Sequence, residues 1–459
     1  MSFCESCFKK DRKIDELEEE IVRLKSRIRY EQLKNKEGYF GSSTPSSQKP
    51  VKANSQNSSE RKNGGAVKGH EGHGRRTISE AEADRIEYLS TDDECPDCKN
   101  KLVSKGTIRR SVIESNPIKI EKVSYEYEKK YCPKCNKIVS NKPRILPKSL
   151  YGNQLVTQSI VMHYAHGIPA GTVEEILGNI FPENGLYDIY HRVAKLWESA
   201  IPKIILEYRQ EPVKHGDETG WRTDGESGYA WIFCSKNISL FQFKETRSSR
   251  VPLEIFGSEK VPGVLIVDRY QGYNKVPCKI QYCYAHLLRQ VEDLGKEFAA
   301  VSEIQCFVGS LAPLLSSAMH LRTTNISDKI YYHKAEKIKT EIVGIINTPA
   351  AHSGIIKIQM IFKTNDDRLY HWVEDRNVPA ENNTAERELR PTVIARKVSF
   401  GSQSKKGALT RSTLMTILHT AQKRLKDKTL EEWFKESLDY LSQNQEADPY
   451  SLLPHSNSS

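Results

Sequence analysis

The sequence predicts an α/β core around a mixed β-sheet, and three observations carry that reading. Val264-Leu265-Ile266-Val267 is a short β-branched apolar run behind Pro262-Gly263, which suits a strand buried on both faces. Upstream, the segment after Pro212 and the runs 229–234 and 238–244 read as three consecutive antiparallel strands, the last two joined through Ser235-Lys236-Asn237. From Asp268 to Glu386 the chain then runs 118 residues, far more than a strand-to-helix crossover needs, and helix-like stretches at 286–300 and 328–343 occupy much of that interval. The core domain is therefore expected over 211–440, with a mainly helical insertion at about 287–370.

Taken in order, the preceding elements differ sharply in composition. Ile14, Leu17, Ile21, Leu24 and Ile28 repeat at 3-4-3-4 spacing among Glu, Lys and Arg, an a/d seam of little over two heptads. Residues 1–40 are expected as a coiled-coil helix that brings copies of the chain together, or as an amphipathic helix packed on its own chain. From 41 to 80 Ser, Asn, Gly, Lys and Pro replace the large apolar residues, which reads as a disordered basic linker whose Arg75-Arg76 pair suits phosphates. Residues 441–459 read as a flexible tail.

Cysteine spacing defines the next domain, 81–150. Cys95-Pro96-Asp97-Cys98 and Cys132-Pro133-Lys134-Cys135 are paired knuckles around an alternating, strand-like segment at 108–129, the pattern of a four-thiolate zinc ribbon. Such a site holds together a domain too small for an adequate core. Cys4-Glu5-Ser6-Cys7 has no evident second half, and Cys283 with His286 reads either as a ligand pair or as packing beside the core strands. Cys234, Cys278 and Cys306 read as small apolar residues. Residues 151–210 show helical patterning around a Gly167-Ile168-Pro169 break, with a capping box from Thr172 to Glu175 and a further helix near 187–205. They are read as a helix-turn-helix or as a plain helical connector.

Sixty-nine Lys and Arg against fifty-nine Asp and Glu leave a net charge of +10, which favours a polyanionic partner. No apolar run approaches the ~18 residues of a membrane helix, and the N-terminus lacks a signal peptide's apolar core. A cytoplasmic protein with no membrane association is expected.

Chemistry concentrates in three separated acids whose neighbours explain their positions. Asp217 stands in HGDETGWR, Asp268 ends the apolar strand of GVLIVDRYQGYN, and Glu386 opens a helix in ENNTAERELRP, where Asn382-Asn383-Thr384 offers an N-cap. Carboxylates that hold two divalent cations roughly 3.5–4 Å apart stabilise both the attacking and the leaving oxygen of an in-line displacement at phosphorus. Arg387 and Arg390 share one side of the Glu386 helix and suit a phosphate. Arg396, Lys397, Lys405, Lys406 and Arg411 form a denser basic cluster around Gly401-Ser402.

These segments, with YAWIFCS, KETRSSRVPLEIFG, CYAHLLR and RKVSFGSQSKKGA, resemble in order the blocks of the transposases of bacterial insertion sequence 66 type elements. The resemblance implies a ribonuclease H-like catalytic domain in which Asp217, Asp268 and Glu386 are the metal-binding triad of a DDE transposase. Two positions depart from the family's usual pattern, Glu381 ahead of the paired Asn residues and Tyr284 between Cys283 and His286. Glu381 is thereby a second carboxylate near the third block, and Glu386 is favoured because the match continues through Arg387 and Arg390. Implied with the family are Mg²⁺ or Mn²⁺ at the triad, a structural Zn²⁺, DNA substrates comprising the element's terminal repeats and a target, a homo-oligomer that holds two ends, and accessory transposition proteins. A transposase-derived DNA-binding regulator and a metal-dependent nuclease are the alternatives.

Overall fold

The computed structural model describes residues 143–182 and 184–456, the stretches 118–126, 128–133 and 137–140, and the helical residues Leu17 and Ile21. The chain divides into two compact units, 51–123 and the remainder. In the first, residues 118–123 are exposed and form no strand.

In the second unit, β1 (Lys129–Cys132) and β2 (Lys137–Ser140) pair as a hairpin. Cys132 ends β1; Cys95, Cys98 and Cys135 lie outside the described residues. Of the expected strand pattern at 108–129, the described stretch 118–126 carries no strand and Lys129 opens β1, while 108–117 lie outside the described residues. Leu17 and Ile21 are both exposed, and the rest of the heptad seam lies outside the described residues.

The core is a five-stranded mixed sheet in the order β5-β4-β3-β6-β7, with β3 Val213–Thr223, β4 Glu226–Cys234, β5 Ser239–Lys244, β6 Val264–Val267 and β7 Lys279–Tyr282. Antiparallel pairing joins β3, β4 and β5, while β6 and β7 add in parallel. The β3–β4 hairpin turns on Asp224 and Gly225, both at positive φ, the two-residue geometry whose twist matches its flanking strands. As its sequence indicates, β6 is buried on both faces: Leu265 and Val267 join the main core, whereas Val264 and Ile266 pack with Val213 on Val378.

Helices cover the sheet. Ahead of it run α1 (Asn153–Ile160), continued by a π-turn to Ala165, then α2 (Ala170–Ile176), α3 (Gly185–Trp197) and α4 (Ile201–Gln210). Helix α2 begins at Ala170 behind Pro169, two residues ahead of the expected Thr172 cap, and the helix expected near 187–205 is broken into α3 and α4 by a 3-10 turn. After β5 come α5 (Arg250–Phe256) and, past β7, α6 (Tyr284–Glu297), α7 (Ser302–Leu321), α8 (Asp328–Asn347), α9 (Ser353–Thr364) and α10 (His371–Glu374). Helices α6 to α10 fill the interval in which a helical insertion is expected. One of them, α7, is long and apolar enough to cross a membrane, contrary to the sequence expectation. Its buried Ile304, Phe307, Leu311, Leu315 and Ala318 recur every three or four residues and face α6 and α8, the one-sided stripe of a helix packed in a bundle.

The chain closes with α11 (Asn383–Ser399), α12 (Lys405–Arg424) and α13 (Leu430–Gln443). Helix α12 covers the edge strand β5, whose backbone it satisfies directly: Phe241 N–H donates to Thr416 Oγ1 at 3.0 Å, Ser239 N–H to Thr420 Oγ1 at 3.2 Å, and Ser412 Oγ to Phe241 C=O at 2.6 Å. The expected flexible tail is instead anchored through Leu453. Trp433 Nε1 donates to Leu452 C=O at 2.9 Å and Tyr450 OH to Glu207 at 3.0 Å, while Leu453 is buried.

Candidate active site

Strand register brings the first two acids together. Parallel pairing sets His215 opposite Ile266, so two residues further along each chain Asp217 stands beside Asp268, on the same face and on adjacent strands ~4.8 Å apart. Asp268 follows the last residue of β6, where its Oδ1 accepts the Tyr270 N–H at 2.9 Å. Asp217 lies within the longer β3, opposite Ile232 of β4, and its Oδ1 accepts the Glu218 N–H at 2.9 Å.

The third acid stands on a helix that Asn382 ties to β3. The Asn382 Nδ2 donates to Gly216 C=O at 2.9 Å, its Oδ1 bonds the His215 ring at 2.9 Å, and its N–H donates to Cys283 Sγ at 3.2 Å. One buried residue thus ties the start of α11 to β3 and to Cys283, the residue just ahead of α6. Glu386 follows one turn later, its N–H donating to Asn382 C=O at 3.3 Å. Asn382 therefore spends its side chain on β3 rather than on capping α11, and the open Asn383 N–H is taken by Glu381 at 2.7 Å. Of the two neighbouring carboxylates, Glu381 is occupied by the helix start and Glu386 contributes to the field at Asp217. Cys283 is buried, with its thiol pushed up to about 12 by that burial, and it serves to orient Asn382.

Electrostatics record the crowding. Burial first, then Glu218, Asp268 and Glu386, push the Asp217 carboxyl well above the usual carboxylate range. Glu218, on the opposite side of β3 from Asp217, is a buried acid that the sequence reading passed over. Burial and Asp268 push it up to about 7, against Arg247 and Tyr273, which draw it down. Its Oε1 accepts from Arg247 at 2.8 and 2.6 Å and its Oε2 from Tyr273 OH at 2.7 Å, while the Arg247 guanidinium lies 4.1 Å from the Tyr270 ring centre. The available signal was the Asp-Glu dipeptide inside a strand, where alternation sends the two carboxylates to opposite faces.

An all-oxygen set of mutually repelling carboxylates fits a hard divalent cation, whose charge relieves that repulsion. Among the described residues, no three His, Cys, Asp or Glu side chains converge closely enough to form a metal cage.

The basic residues separate into two groups. Arg387, Arg390, Lys397, Lys405 and Lys406 are exposed, Lys405 pairing with Glu245 at 2.6 Å. Arg396 is half-buried and donates to Thr219 Oγ1 at 3.1 Å and Gly220 C=O at 2.6 Å, so it braces β3. Arg411 is buried, bonded to His163 Nε2 at 3.0 Å between the Tyr164 and Trp221 rings, which corrects its place in the surface cluster. Among the small cysteines, Cys306 is exposed rather than packed.

A family model described as Transposase IS66 family matches residues 148–410, more than half of the chain and the whole of the five-stranded sheet. An uncharacterized protein y4jD of Sinorhizobium fredii (strain NBRC 101917 / NGR234) is 20% identical over 247 residues, half of this chain. The chain spans 43% of that curated relative's length. On this match, and with a mixed α/β architecture compatible with a ribonuclease H-like core, the chain belongs to the IS66 family of transposases.

Proposed function

We propose that the protein is a DDE transposase that cleaves DNA at the ends of an insertion sequence and joins them to a target, using Asp217, Asp268 and Glu386. The observation that supports this reading is that Asp217 and Asp268 fall in register on neighbouring strands while Asn382, one helical turn before Glu386, fastens that helix to the first strand, and that Asp268 and Glu386 both act on the Asp217 carboxyl. Mg²⁺ or Mn²⁺ bound there supplies a lowered water pKa and charge neutralisation at phosphorus. The chain's own part is to hold the carboxylates on rigid elements, with Asn382 and Asp268's turn fixing their backbones. Exposed Arg387, Arg390, Lys397, Lys405 and Lys406 position strands through phosphates, and Arg396 supports β3 beneath them. Within the same reading, Cys95, Cys98, Cys132 and Cys135 hold a structural Zn²⁺, the N-terminal heptads pair copies of the chain, and 151–210 contacts the terminal repeats.

The deciding assay is divalent-metal-dependent cleavage and strand transfer on DNA carrying the element's own flanking ends, comparing wild type with Asp268→Ala. Joined product from the wild type and at least about a hundredfold less from the variant is expected, as for loss of a group acting on the transferred phosphoryl. Cleavage without joining in the wild type would favour the nuclease reading. DNA binding with neither reaction, equal in both proteins, would favour the regulator.

A further inference from the structure

Phe400 is placed against every ordinary preference of its residue type. It is 75% exposed, so its ring gains little from burial, and it caps α11 at φ 59°, a left-handed conformation that glycine or asparagine normally takes. Among the described non-glycine residues at positive φ, which are Lys148, Asn179, Asn184, Asp224 and Phe400, it is the one aromatic. The backbone that presents it is fixed. Ser402 N–H donates to Arg222 C=O at 2.9 Å, Asp224 N–H to Ser402 C=O at 2.8 Å, and Trp221 Nε1 to Ser402 Oγ at 3.2 Å. Gly401 between them has φ 141° and no room for a side chain, because a Cβ would strike the Arg222 carbonyl. An exposed ring is thus held rigidly by the far end of β3, the strand that carries Asp217.

Exposed cations flank the ring along α11 and α12, and the acids nearby are Asp224, whose N–H bonds Ser402, and Glu245. Arg387, Arg390, Ile394, Lys397 and Val398 share the exposed stripe of α11 that runs from Glu386 to Phe400, and α12 opens just beyond with Lys405 and Lys406. Glu245, an acid on this side, is already paired with Lys405. Cations alternating with exposed apolar side chains and ending in a rigid aromatic suit a nucleic-acid strand whose phosphates follow the basic residues and whose base stacks on the ring. A protein partner would gain nothing from the cations unless it were acidic.

We propose that Phe400 stacks against an unpaired base of the DNA bound at the three acids. The proposal rests on the transposase reading and adds to it a specific contact. Fourteen residues of helix separate Glu386 from Phe400, about 21 Å at the helical rise. At 3.4 Å per nucleotide of duplex, the contacted base lies about six nucleotides from the reacting phosphate.

Binding of the full-length chain to two labelled mixed-sequence oligonucleotides of equal length, one fully duplex and one with an unpaired end, provides the test. Phe400→Gly is expected to weaken binding of the unpaired end about tenfold and of the duplex less than about twofold. Because glycine accepts the left-handed conformation, its thermal midpoint should equal or exceed the wild type's, which separates loss of contact from loss of fold. Phe400→Trp should retain affinity, with indole emission quenched by the unpaired end only. Equal affinity of Phe400→Gly and wild type for both probes, an equal loss on both, or a smaller oligomer in Phe400→Gly would overturn the proposal, the last by showing that a second copy covers the ring. A wild type that binds neither probe would instead remove the transposase reading itself.

Discussion

His163 shows how a single buried side chain sets a pH response. Its Nδ1 bonds Ile168 C=O at 2.8 Å and its Nε2 faces Arg411 at 3.0 Å, so the neutral ring donates at Nδ1 and accepts at Nε2. The groups packed around it are Arg411, Tyr164 and Tyr190, and none supplies a counter-charge. Burial first and Arg411 second lower its pKa from 6.5 to about 4. With the native value below the unfolded one, the contribution is complete above about 6.5 and is lost as pH falls towards 4. It amounts to on the order of 3 kcal/mol across that window. Urea unfolding of wild type and His163→Gln at several pH values should show the wild type losing that much more stability than the variant on acidification; parallel curves would refute it. At this scale the elements that carry the three acids were legible, Asp217 in a strand, Asp268 just past one and Glu386 in the first turn of a helix. Glu218 and Arg411 were misjudged for one reason, that burial depends on partners distant in the chain: Arg247 and Tyr273 for the first, His163, Tyr164 and Trp221 for the second.

Elements were legible where their periodicity is local and obscured where their ends depend on tertiary contacts. The strands β4, β5 and β6 lie close to the apolar runs that announce them. The start of α11 does not follow local capping chemistry, because Asn382 is recruited by His215 and Gly216 of a strand far earlier in the chain. The tail was taken for flexible because it is polar, yet Tyr450, Leu452 and Leu453 find partners on α4 and α13. The contact of α12 with β5 could not have been foreseen, since the hydroxyls of Ser412, Thr416 and Thr420 look like solvent-facing groups in sequence. They replace a sixth strand. Thr416→Val, close in shape, removes the acceptor for the buried Phe241 N–H and should cost about 1–2 kcal/mol. Denaturant unfolding with an unchanged m-value would register it, and a loss below about 0.5 kcal/mol would mean that the edge strand is held by packing alone.

At the scale of the whole molecule, exposed cations of α11 and α12 lie on or beside the helix that carries Glu386. A net +10 describes only the balance, because many of the cations are already committed to neighbours, as Arg424 is to Glu207 at 2.8 Å and Lys423 to Glu388 at 3.1 Å. The exposed stripe of α11 and the first residues of α12 carry Arg387, Arg390 and Lys406 on the same helices as, or next to, Glu386, whose charge with that of Asp268 acts on Asp217. Attraction of a phosphate backbone by that stripe and repulsion by the bare acids oppose each other, so DNA affinity and divalent metal should be linked: the cation lifts the repulsion while the stripe supplies the attraction. Each phosphate neutralised changes the slope of log affinity against log salt by ~0.9. The double variant Arg387→Gln/Arg390→Gln should therefore flatten that slope by about 2 relative to wild type, in metal-containing buffer and on duplex DNA of any sequence. Titrations over a range of salt would measure it. An unchanged slope would place the DNA backbone away from α11, and the three acids would then have to receive their phosphate from another side of the sheet.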